Sequence, residues 1–96
     1  MAQPLSQQEL DEALNELDGW RVEDDKLKKD LTFENFKEAV AFIVRLSYEA
    51  ENLVHHPEIF NVYNQVNISL ATHDAGDKIT EKDVKLAKSI DSLYNN

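Results

Sequence analysis

Cysteine is missing altogether from the 96-residue chain. That removes disulfide frameworks and thiolate metal sites together, and it fits a reducing compartment, with the cytoplasm as the expected location. Proline and glycine number two each, and no linker, repeat or low-complexity tract can be traced. Long apolar runs are missing too. The longest, Ala39 to Val44, falls far short of the ~18 residues that mark a membrane span. The start, MAQPLSQQELDEA, has neither the basic segment nor the apolar core of a targeting signal. Positive charge is scarce: ten basic residues stand against nineteen acidic ones, a formal net charge of −9. Such a chain repels a phosphate backbone, so direct nucleic-acid binding is not expected. The acidic residues are spread out and read as solvated faces. What remains is a chain sized for one domain, residues 1–96, with one core and room for one site.

Three helices are signalled by their entries. Ser6-x-x-Glu9 is a capping box, Leu5 and Leu10 are placed as a hydrophobic staple, and Leu10, Ala13, Leu14 and Leu17 form one stripe that Gly19 ends. A second entry is expected at Thr32, with Leu31 and Phe36 as staple. From there Phe36, Ala39, Val40, Ile43, Leu46, Ala50, Leu53 and Val54 recur at helical spacing over roughly 20 residues. Thr80-x-x-Asp83 opens the third, with Val84, Ala87, Ile90 and Leu93 on one face.

Two hairpins fit between these helices. Trp20 to Val22 and Leu27 to Leu31 alternate around an Asp24-Asp25 turn, and Glu58 to Tyr63 can pair with Val66 to His73. The expected fold is therefore α+β: a four-stranded antiparallel sheet with three helices on one face, in the order α-β-β-α-β-β-α. Phe42, Val44 and Tyr48 fall outside the core-facing set of the long middle helix. A domain this small cannot bury both sides of such a helix alone, so a homodimer or homotetramer through it is expected. Ordinary scattered surface apolars are the competing reading.

His55-His56-Pro57 lies where the middle helix gives way to a strand, and His73, the third and last histidine, follows the alternating run. The hairpin turn decides what His73 faces. An Asn64-Gln65 turn sets it opposite His56, and a Tyr63-Asn64-Gln65 loop sets it opposite His55. The second register also places Phe60 and Val62 on the apolar face with Val66 and Ile68. In either case the histidines converge. Imidazoles accept or donate a proton near pH 7, so a cleft holding two or three suits general acid-base chemistry. A metal site is the rival, but neighbouring residues point in different directions and would not readily share one ion. A third reading gives the histidines only a structural role at the helix C-terminus. Glu51, one turn before His55, is placed to orient that ring, or else forms an ordinary surface pair.

Glu51-x-x-x-His55-His56-Pro57, followed by Tyr63, His73 and Asp83, resembles the signature of the pterin-4a-carbinolamine dehydratases, whose members are also called dimerisation cofactors of a homeodomain transcription factor. The text Pro57-Glu58-x-Phe60-Asn61-Val62-Tyr63-Asn64 is similar to theirs, and the likeness extends from Gly19-Trp20 to Thr80-Glu81-Lys82-Asp83. The resemblance implies a lyase that removes water from 4a-hydroxytetrahydropterin to give quinonoid dihydropterin, in tetrahydrobiopterin recycling. It implies no metal and no cofactor. His55, His56 and His73 are then the catalytic set, with His55 and His73 as acid-base residues and His56 mainly a pterin contact. Glu51 would orient an imidazole. Asp83 is either a helix cap or an edge of the site, and Tyr63 and Trp20 are read as packing groups. The alternative function is a protein-interaction module with a transcription-factor partner. One departure from the animal members is the loop Asp74-Ala75-Gly76-Asp77-Lys78, which lacks their cysteine.

Overall fold

The computed structural model describes residues 3–96. Its first helix, α1 (Gln7–Glu16), starts at the expected capping box, where Ser6 Oγ accepts from the Glu9 amide and the Glu9 carboxylate accepts from the Ser6 amide. Two of the four free N–H groups at the helix start are thereby satisfied. Strands β1 (Arg21–Glu23) and β2 (Lys26–Thr32) form a hairpin around Asp24 and Asp25. Both turn residues adopt positive φ, 57° and 61°, as a mirror-image hairpin turn requires.

After these come α2 (Phe36–Leu53), β3 (Glu58–Val62), β4 (Gln65–Leu70), a single 3-10 turn (His73–Ala75) and α3 (Glu81–Tyr94). The sheet is antiparallel throughout, in the order β1-β2-β4-β3.

Alternation explains why one face of the sheet carries the helices. Leu27 and Leu31 of β2 pair with Leu70 and Val66 of β4, and these four, with Ile68, are essentially fully buried. They meet Ala13 of α1, Ala39, Phe42 and Leu46 of α2, and Val84, Leu86, Ala87 and Ile90 of α3 in one cluster. Burying each large side chain contributes about 1.5–3 kcal/mol. The other face of the sheet presents Lys28, Asp30, Asn67 and Ser69, none of them buried.

Three expectations need correction. The middle helix does not enter at Thr32: pairing with Gln65 keeps that residue in β2, and the cap passes to Asn35, whose side chain accepts from the Glu38 amide at 2.9 Å. The inner face of α2 is Ala39, Phe42, Leu46 and Ala50, so Phe42 belongs to the core, while Phe36, Val40, Leu53 and Val54 are exposed. Finally, the second hairpin turns at the two residues Tyr63-Asn64, which is neither of the expected turns, so that Val62 faces Gln65 and Ile59 faces Ile68. Tyr63 takes φ 51°, and Asn61 Nδ2 donates to the carbonyls of Tyr63 and Gln65 across the reversal. Ile59 and Asn61, not Phe60 and Val62, therefore share the inner face with Ile68 and Val66.

Candidate active site

The site is assembled at one end of β3 and β4, where α2 and β4 end and α3 begins. Helix α2 ends without the usual glycine. Val54 takes the left-handed conformation instead, with its amide reaching Glu51 O and the His55 amide reaching Ala50 O at 3.0 Å. These are the two hydrogen bonds of a Schellman ending, and they anchor the backbone from which His55 projects. Residues adjacent in extended chain point to opposite sides. His55 accordingly turns inward and is buried, while His56 turns outward and is exposed.

β4 stops at Leu70, short of the expected His73. Past it, Thr72 forms an isolated bridge with Lys78, its amide donating to the Lys78 carbonyl at 2.8 Å. The intervening residues bulge out as the 3-10 turn, with Gly76 at φ 77° closing it. His73 thus does not stand across a ladder from either partner. It borders the same cleft as they do, from the 3-10 turn that follows β4. A cleft of about 250 Å³ is lined by His55, His56 and His73 together, with Thr72, Asp74 and Lys82 around them.

Each imidazole has its own carboxylate. His55 Nε2 meets Asp83 Oδ1 at 2.5 Å, His56 Nε2 meets Glu51 Oε2 at 2.5 Å, and His73 Nδ1 meets Asp77 Oδ1 at 3.1 Å. Sequence spacing assigned Glu51 to His55, but the inward turn of His55 takes its ring to Asp83 and leaves Glu51 to His56 at the surface. Among the described residues no three His, Asp or Glu side chains stand where they would hold one metal ion.

Asp83 caps a helix and also pairs with His55. At the third position of α3 its Oδ2 accepts from the Thr80 amide, completing the capping box, and also from the Thr72 hydroxyl at 2.8 Å. Its Oδ1 is left for His55. The carboxyl group is fully buried; in its ionised form it only accepts hydrogen bonds, and the His55 nitrogen facing it is then the donor. The same logic orders the neighbouring hydroxyls. Thr72 spends its proton on Asp83, so Thr80 donates to Thr72 at 2.6 Å and accepts from the Lys82 amide. Among the described residues Nδ1 of His55 has no hydrogen-bond partner, and no buried side-chain nitrogen or oxygen lacks one, so Nδ1 keeps contact with solvent. The arrangement is a buried imidazole with one nitrogen paired to a carboxylate and the other unpaired among the described residues.

Residues 3–93 match the family model described as pterin 4 alpha carbinolamine dehydratase. The chain belongs to this family. Named relatives agree. It is 49% identical over 89 residues to a provisionally named pterin-4-alpha-carbinolamine dehydratase of Opitutus terrae, covering 93% of this chain and 92% of that one. A relative with the same provisional name from Christiangramia forsetii is 44% identical over 93 residues, covering 97% and 95%. Among solved structures, one titled transcriptional coactivator/pterin dehydratase from Brucella melitensis superposes with a TM-score of 0.90 at 38% identity, covering 95% of this chain and 98% of that one. The family is one of dehydratases, which are lyases.

Within this dehydratase fold, Trp20 packs in the core as expected, but Tyr63 is an exposed turn residue and not a packing group. Thr72, Asp77 and Lys82 were missed as site residues. Asp77 stands four residues after His73, a spacing that would have flagged the pair, whereas Thr72 and Lys82 carry no signal until the loop and the α3 entry are seen together.

Proposed function

We propose that this protein removes water from 4a-hydroxytetrahydropterin to give quinonoid dihydropterin. The bond from C4a to its hydroxyl oxygen breaks, the hydroxyl takes a proton and leaves as water, N5 gives up its proton, and a double bond forms between N5 and C4a. One proton is delivered and one removed, so two groups on one cleft suffice. His55 and His73 carry these transfers, and His56 contacts and positions the pterin. Asp83 fixes His55, and Glu51 fixes His56. The observation that carries the reading is the meeting of three carboxylate-paired imidazoles on one cleft, in a chain of this family. Its place is the regeneration of tetrahydrobiopterin after aromatic amino acid hydroxylation, in the cytoplasm and without a bound cofactor. Mixing the protein with freshly generated 4a-hydroxytetrahydropterin tests it: quinonoid product should form well above the spontaneous rate, and a rate equal to the spontaneous one removes the enzyme reading.

The outer side of α2 supports a second property. Phe36, Val40, Val44 and Tyr48 are all exposed there, and they are the surface through which two or four copies would associate. The same surface suits the alternative reading, a cofactor that docks on a transcription factor's dimerisation segment. It is favoured by the coactivator wording attached to the Brucella melitensis structure.

A further inference from the structure

The histidine cleft does not end at the histidines. His56 and His73 also line a second cavity of about 190 Å³, shared with Lys26, Glu58, Ser69 and Asp77. Lys26, Glu58 and Ser69 in turn belong to a trough of about 400 Å³ on the outer face of the sheet, which continues to Lys28, Phe60 and Asn67. The ladder explains the continuity. Lys28, Ser69 and Glu58 form one row across β2, β4 and β3, and Asp30, Asn67 and Phe60 form the next. His56 is two residues before Glu58, so period-2 alternation places it on this same face. The cleft by itself, at about 250 Å³, lies below the roughly 300–1,000 Å³ usual for a small-molecule site; joined to the trough it falls inside that range.

The lining chemistry selects the occupant. Lys26 is bound to Glu58 at 2.6 Å, and Lys28 to Glu23 and Asp24. Lys26 Nζ donates to the Glu58 carboxylate, and this hydrogen bond holds the Lys26 pKa above its ordinary value. The cations are already balanced, which leaves little attraction for an anionic group. Ser69 and Asn67 add neutral donors and acceptors, and the exposed ring of Phe60 offers a flat apolar wall. Alternating donors and acceptors beside an aromatic face suit a chain of hydroxyls.

Resting on the dehydratase reading, we infer that the trough is a specificity subsite, taking a neutral polyhydroxylated substituent of the pterin while the bicycle occupies the histidine cleft. The test compares carbinolamines made from 6-methyltetrahydropterin and from a tetrahydropterin with a trihydroxypropyl side chain. Ser69→Leu, on the open outer face, fills the trough. It should raise KM for the hydroxylated substrate about tenfold, the loss of one or two hydrogen bonds, with the 6-methyl substrate unchanged. Asn67→Ala should act in the same direction, more weakly. Equal effects on both substrates, or none on either, overturn the subsite. Calorimetric binding of the two oxidised pterins to wild type and Ser69→Leu decides it without turnover. A preference for the hydroxylated pterin that Ser69→Leu abolishes supports the subsite, and equal affinities overturn it. Absence of dehydration by wild type would count against the dehydratase reading alone.

Discussion

Asp83 is the residue on which fold and chemistry depend together. Its carboxylate closes the α3 capping box, accepts from Thr72 and fixes His55. Asp83→Asn replaces an acceptor with a donor facing the proton of His55. We expect a loss of about 2 kcal/mol of stability in urea unfolding and a fall in kcat of about 10²-fold. Glu51→Gln alters an exposed pair and should change stability by less than about 0.5 kcal/mol, which separates the two carboxylates cleanly. Val54 poses a different question. A β-branched residue in the left-handed region costs about 1–2 kcal/mol, and its side chain is exposed. Val54→Gly should therefore raise stability by about 0.5–1 kcal/mol, after allowing for the greater freedom of glycine in the unfolded chain.

At the level of elements, the capping boxes of α1 and α3 were legible in the sequence because their partners lie three residues apart. The entry of α2 was not, since Thr32 is claimed by pairing with a residue far along the chain. The same competition misplaced the apolar phase of α2. Its sequence offers apolar residues on more than one side, and only the position of the sheet selects Phe42 over Phe36 and Val40 for the core. Convergence of the histidines was foreseen, but by the wrong route. A ladder register was assumed, whereas the observed turn at Tyr63-Asn64 and the 3-10 bulge bring His73 to the cleft. Nothing local favours Tyr63 at positive φ, so the register was not readable from the turn residues. The exposed ridge on α2 carries its own prediction. Wild type should sediment as a dimer or tetramer, and Val44→Asp with Tyr48→Glu should give a folded monomer; a monomeric wild type at micromolar concentration would contradict the association.

The whole molecule is tied at the end of α3 by a polar network outside the site. Lys29 points into the core side of β2, is nearly buried, and donates to Asp91 at 2.8 Å and to the Asp18 carbonyl at 2.5 Å. Trp20 Nε1 donates to the same Asp91 oxygen at 2.8 Å. The network joins the α1–β1 connection, β2 and α3. Removing Asp91 leaves a buried ammonium without its counter-ion, and Asp91→Ala should cost about 3 kcal/mol, read from the urea midpoint. At temperatures where the variant remains folded, its cleft should be intact. Proton transfer in that cleft is measured most directly by dehydration of fresh 4a-hydroxytetrahydropterin by His55→Ala and His73→Ala beside wild type. Each variant should retain its fold by circular dichroism and lose about 10²-fold or more in kcat. Wild-type turnover in both folded variants would contradict proton transfer by these two imidazoles.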